Sequence, residues 1–146
     1  MPLVALLVWG CEKDDNDVKV FNGIVLNGAE MRPANASTGS GTMDVWYNQK
    51  SKVLNYAVRW SGLSDSVTAI RVHGPAERGA AAAPIQNITP PTLPNAQRAA
   101  TGFFSGSFVV DGVVVREEDV INSRLYLVLY TKTRPAGEVR GQILIP

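Results

Sequence analysis

The chain carries one imidazole, His73, and one thiol, Cys11, and these two positions bound the chemistry open to it. A transition-metal centre needs several imidazole, thiolate or carboxylate ligands converging on one ion, and a lone histidine does not supply them. A nucleophilic hydroxyl or thiol needs a base within hydrogen-bond reach, and none stands in a recognisable arrangement with His73. No glycine-rich loop leads into a helix to cradle phosphate. The acids Asp14, Asp15 and Asp17 crowd together but lack the spaced loop and closing glutamate of a calcium site. The remaining candidates are polar rather than reactive: Arg71, His73, Tyr130, Glu138 and Arg140. Residues two apart on a strand share a face, which pairs Arg71 with His73 and Glu138 with Arg140. These side chains are expected to form a non-catalytic polar site that holds no metal and no cofactor. His73 has two readings at this point, an organiser of local hydrogen bonds or a functional group. Glu138 and Arg140 read as exposed ion-pairing residues, with Arg71, Arg59 or Glu77 as partners.

The elements that position these residues are strands. From Val18 onward the apolar pattern has period two, broken by Gly, Pro, Asn and Ser. Strands are expected at Val18–Leu26, Ser40–Tyr47, Lys52–Trp60 and Ser66–His73. The second and third are close enough to pair as a hairpin. In the third, Leu54, Tyr56, Val58 and Trp60 share one face; in the fourth, Ile70 and Val72 oppose Arg71 and His73. A proline-rich stretch from Gly74 to Ala100 reads as a long loop with a short strand at Ile85–Ile88. Such a loop often covers a site. Gly102–Val110, Leu125–Lys132 and Glu138–Ile145 are further strands, the last two joined as a hairpin through Thr133–Gly137. One short helix is expected at Arg116–Ser123, with Glu117, Glu118 and Asp119 in its first turn, where the helix dipole favours acids. Gly137 and Gly141 read as backbone requirements, a turn and a bulge. Trp46 and Tyr47 must face opposite ways, which leaves an aromatic as a potential contact residue. Short antiparallel strands with Gly and Pro turns point to an all-β sandwich or barrel.

Composition narrows the partners. A net charge of +1 and no basic stripe exclude a generic attraction to nucleic acid. Hydrophobic residues make up 45% of the chain, which excludes global disorder. A single cysteine excludes an internal disulfide, so stability must come from the core. The sequons at Asn35 and Asn87 matter only in a glycosylating pathway.

Two segments resemble the CHRD domain, the module named after chordin. Ile70-Arg71-Val72-His73-Gly74-Pro75-Ala76 resembles its His-x-His-Gly-Pro-Ala motif. Tyr126 to Thr131, followed by Pro135-Ala136-Gly137-Glu138-Val139-Arg140-Gly141-Gln142, resembles its closing hairpin, Tyr-x-Asn-x-His-Thr and then Pro-x-Gly-Glu-Ile-Arg-Gly-Gln. The likeness covers residues 18–146. The order of motifs is also similar to Cu/Zn superoxide dismutase, which implies an antiparallel Greek-key β-sandwich of that or immunoglobulin-like topology. The family's three histidine positions hold Arg71, His73 and Tyr130 here, so the metal chemistry of such a site is not expected. What the resemblance implies instead is a binding or scaffolding module, with a small-ligand or metal-handling role near His73 as the alternative. Arg71, His73 and Tyr130 are expected to form a hydrogen-bonded cluster under the loop 74–100, with Glu138 or Glu77 supplying a carboxylate to Arg71.

The N-terminus reads as an address. An apolar run, Leu3–Trp9, ends at Gly10-Cys11 and gives way to Glu12-Lys13-Asp14-Asp15. The run is too short to span a bilayer and fits a secretory signal. Val8-Trp9-Gly10-Cys11 resembles the bacterial lipobox, although Trp9 is larger than usual and no Lys or Arg precedes the run. The expected organisation is a signal segment at 1–10, a lipidated Cys11 with an acidic tether at 11–17, and one folded domain at 18–146. Two or more acyl chains anchor a domain firmly. The Lys-Asp-Asp sequence after Cys11 resembles a surface-export signal of Gram-negative lipoproteins. The expected location is the cell envelope, lipid-anchored to the outer membrane and exposed at the cell surface, with an unidentified protein or glycan partner.

Overall fold

The structure is a computed structural model and describes residues 17–146. The signal segment, Cys11 and most of the acidic tether lie outside the described residues. The strands are β1 (Val18–Asn27), β2 (Ser40–Asn48), β3 (Val53–Ser61), β4 (Val67–His73), β5 (Pro84–Ile88), β6 (Gly102–Val109), β7 (Leu125–Thr131) and β8 (Val139–Ile143), with one helix, α1 (Glu117–Ile121), between β6 and β7. All pairings are antiparallel. They join in one eight-stranded sheet of order β5-β4-β7-β8-β1-β2-β3-β6, curled nearly into a barrel. Among the described residues no helix is long and apolar enough to cross a membrane.

Alternation makes the inside of this barrel. Leu54, Tyr56, Val58 and Trp60 of β3 point inward with Met43, Val45 and Tyr47 of β2, and Tyr47 is fully buried while Trp46 is exposed. Leu125, Leu127 and Leu129 of β7 join Ile70 and Val72 of β4 in the same core. Each such side chain contributes roughly 1.5–3 kcal/mol by leaving water. In β1 the alternation slips. A bulge between Phe21 and Ile24 turns the strand, so Val18 and Val20 face out while Ile24 and Leu26 face in. Gly23 permits it by taking φ +75°, and its N–H donates to Asp44 Oδ1 at 2.9 Å.

The two outermost strands, β5 and β6, face each other across the remaining gap. Gln86 of β5 spans it, donating from Nε2 to the Ser107 carbonyl at 2.8 Å and accepting the Tyr56 hydroxyl at 2.8 Å. Tyr56 reaches this point because its partner on β6 is Gly106; a Cβ there would collide with the tyrosine ring. At the β8–β1 junction the ladder thins to one pair, Asn27 with Arg140.

Strand β7 is buried on both faces. Its inner face is the leucine row, and its outer face is Tyr126, Val128 and Tyr130. These three pack with Met31, Ala69 and Ala76 in a second, smaller core beneath the first part of the long loop. The loop also contains β5 as a short edge strand at Pro84–Ile88. The helix is shorter than expected, with Arg116 and Asn122 as its caps.

Candidate functional site

His73 ends β4 and Tyr130 lies near the end of β7; the register pairs His73 with Tyr126 and Ala69 with Tyr130. Their side chains share the outer face of the sheet. His73 Nδ1 lies 2.8 Å from the Ala82 carbonyl, which can only accept, so Nδ1 carries the proton. Burial lowers the His73 pKa, the bond to Ala82 opposes this, and Arg71 and Arg140 lower it further. The ring is therefore neutral, and Nε2 accepts from the Tyr130 hydroxyl at 2.7 Å. The imidazole also stacks on Tyr126, with ring centroids 4.9 Å apart and planes 7° from parallel.

The loop over this face is held by its own backbone. Ala82 is gripped twice by Tyr126, whose hydroxyl accepts from its N–H at 2.9 Å and donates to its carbonyl at 3.1 Å. Arg140 of β8 lays its guanidinium 3.6 Å from the centre of the Tyr126 ring and donates to the carbonyls of Ala80 and Glu77 at 2.7 and 3.4 Å. Gln142, one outward position further along, donates to the carbonyls of Ala76 and Ser123 at 2.9 and 2.7 Å. Buried polar groups need partners, and here the partners are loop carbonyls. Arg71 sits at the rim. It donates from Nε to Asn87 Oδ1 at 2.9 Å and places Cζ 4.5 Å from the Tyr130 ring centre.

Glu138 does not belong to this cluster. It is fully buried, at 0% exposure, and its carboxylate accepts from Ser37 Oγ at 2.7 Å, Ser64 N at 2.8 Å, Ser64 Oγ and Thr131 Oγ1 at 2.8 Å. Burial pushes its pKa up, but the bonds from Ser64, Ser37 and Thr131 outweigh this and hold it below the ordinary carboxylate range. The carboxylate thereby ties the segment before β2, the β3–β4 loop and the β7–β8 hairpin together. The expectation of exposed ion pairs at Glu138 and Arg140 is corrected on this point. Arg140 is 2% exposed, and among the described residues neither group has an oppositely charged partner within 4.0 Å. Arg71 likewise takes an amide, not a carboxylate, and Glu77 contributes its carbonyl rather than its acid. The sequence offered little signal for the burial of Glu138, because the strand after it itself carries Arg140 and Gln142.

The two motif glycines are packing requirements. Gly137 has φ +113°, and a Cβ there would lie 2.6 Å from Met31 Cε. At Gly141 a Cβ would lie 2.7 Å from Leu26 Cγ and 3.0 Å from the Val25 carbonyl.

A cavity of about 180 Å³ adjoins the cluster, bordered by Arg32, His73, Tyr126, Tyr130 and Arg140. It is smaller than the roughly 300–1,000 Å³ of typical small-molecule sites. Among the described residues no group of three or more His, Cys, Asp or Glu could hold a metal ion. The donor set does not fit one: both imidazole nitrogens are engaged, Arg71 is a cation, and the Tyr130 hydroxyl is neutral and donates its hydrogen bond to His73.

The family model for the CHRD domain matches residues 23–143. The chain belongs to the CHRD domain family. The matched span runs from the β1 bulge to the end of β8 and includes every polar residue of the cluster. No curated protein and no solved structure matches the chain in comparisons of the same kind. CHRD membership points to a binding module of β-rich fold, and the geometry gives the domain's motif residues a structural task within it.

Proposed function

We propose that this CHRD domain is a non-enzymatic binding or scaffolding module of the cell envelope, held at the outer membrane by lipid on Cys11 and displayed at the cell surface. The observation that carries this reading is where the motif side chains spend their hydrogen bonds. His73, Tyr126, Tyr130, Arg140 and Gln142 all bond the domain's own loop or one another, which leaves recognition to the outer surface. The lipobox-like sequence before Cys11 supports the anchor, and the Lys-Asp-Asp that follows supports the surface location. The finer fold reading, a flattened Greek-key sandwich of the Cu/Zn superoxide dismutase kind, is supported by the crossings from β3 to β4 and from β6 to β7 in the sheet order.

The outer surface offers one contact of the type that anchors interfaces. Phe103 of β6 is 59% exposed and lies opposite Arg59 of β3, whose side chain is 70% exposed beside Asp44, 3.7 Å away. Exposed aromatics and arginines dominate binding energy at protein interfaces. A photo-crosslinking residue at position 103, in cells expressing the full chain, should capture a discrete partner, and Arg59→Ala should weaken that capture. Adducts from position 103 no more selective than those from Lys50, in the β2–β3 turn at the other end of the sheet, would defeat the reading.

A further inference from the structure

One end of the barrel is finished by the row Val18, Asn48, Val53 and Val109, which runs across β1, β2, β3 and β6. The segment after β6, residues 110–116, closes this same end, since Val110 N–H donates to the Lys52 carbonyl at 2.7 Å beside the β2–β3 turn. Its tip is Val113 and Val114, 80% and 63% exposed. Asp111 explains how two valines can stand in the open in a defined shape. Its Oδ1 accepts from the amides of Val113, Val114 and Val115 at 2.9, 2.9 and 3.0 Å, while the Val115 side chain is anchored in the main core. The result is a stiff prong, apolar at its tip, whose three amides already have partners, which removes part of the backbone cost of approaching an apolar medium. Val18 and Val109 are exposed at its base. Trp46, also exposed, lies one outward-facing row further from the tip, opposite Val20, and indoles favour the membrane–water interface.

The chain enters the domain at this end. The Asp17 carbonyl accepts from Gln49 N–H in the β2–β3 turn. Residues 11–17 reach at most about 25 Å when fully extended. A lipid on Cys11 would therefore keep this end, rather than the end bearing Phe103, within that distance of the bilayer.

We propose that the Val113–Val114 prong is a second membrane contact, seated at the headgroup–acyl boundary beside the anchor and fixing the orientation of the domain. This rests on the reading of Cys11 as the lipidated residue. The test uses the mature lipidated protein reconstituted into vesicles of phosphatidylethanolamine and phosphatidylglycerol. Lipidation consumes the chain's single thiol, so Val113→Cys offers one free thiol for an environment-sensitive dye. Emission at 113 should shift to the blue, rise severalfold in intensity and be quenched by headgroup-proximal lipid quenchers, while dye at Phe103→Cys stays in water. Dye at 113 that stays water-like on protein floating with the vesicles overturns the prong and leaves the anchor standing. Dye taken up by the unmutated protein reveals a free Cys11 thiol and overturns both. Protection of 113 on intact cells but not on pure lipid means that a protein covers the tip, and the lipid proposal fails.

Discussion

The Tyr130 hydroxyl donates to His73 Nε2 across 2.7 Å, and this bond fills the one ring nitrogen left after Nδ1 has bonded the loop. What would be a ligand position in a histidine-rich site is here a latch between β4, β7 and residue 82.

Removing the hydroxyl should therefore cost stability rather than metal affinity. Tyr130→Phe leaves a buried ring nitrogen without a donor and should lose about 1–3 kcal/mol. Arg71→Ala removes a rim contact with a tyrosine face and should lose no more than about 1 kcal/mol. Thermal melts give the order, and limited proteolysis within residues 76–83 reports the loosened loop.

Copper or zinc titration should show no stoichiometric sub-micromolar binding, and chelator should leave the melting temperature unchanged. A chelator that destabilises the parent protein, while Tyr130→Phe melts like wild type, would show that the site holds metal.

Glu138→Gln keeps the shape of the buried side chain but replaces one accepting oxygen with a donor amide facing hydrogen-bond donors. A loss of about 3 kcal/mol is expected, larger than for Tyr130→Phe. Equal melting temperatures for Glu138→Gln and wild type would contradict the role assigned to the carboxylate.

Acid should destabilise the domain in two stages. The His73 pKa is held below its ordinary 6.5 in the fold. Both states are neutral above that value; as pH falls below it the unfolded chain protonates first, and stability drops until the folded pKa is passed. The Glu138 pKa is held below its ordinary 4.5. Its contribution is complete above that value and is lost as pH falls towards the folded pKa. Denaturant midpoints measured from pH 8 to pH 3 should fall first near 6.5, then again below 4.5, and His73→Gln should remove the first stage alone.

Cys11→Ala should release the domain from the membrane fraction and abolish labelling by radioactive fatty acid. Surface display predicts that protease added to intact cells digests the wild-type tether. Unchanged fractionation and labelling of the variant would reject the anchor.

The strands were legible where period two is clear, above all in β2 and β3, and β3 is buried on the face that its alternation predicts. The meeting of His73 with Tyr130 followed from the resemblance, which puts both at histidine positions of the family motifs. Two features were not legible. The β1 bulge reverses which parity faces inward, and Gly23 was its only local mark. The Glu138 cluster joins residues as far apart as Ser37 and Ser64, 101 and 74 positions away in the chain, and serine in a loop carries no pattern that names its partner. Burial of Tyr126 and Arg140 was hidden for a related reason: the loop that covers them contributes carbonyls, which every residue has.

The bridge at Gln86 has a consequence for crowded copies of the domain. A sheet with two open edges can recruit the strands of its neighbours and grow into fibres. Here the edges face each other, β5 is short and begins at a proline, and the side chain of Gln86 occupies a backbone carbonyl of β6 that an incoming strand would need. Crowded copies can thus stand side by side as separate particles, because each barrel has already spent its stickiest border on itself.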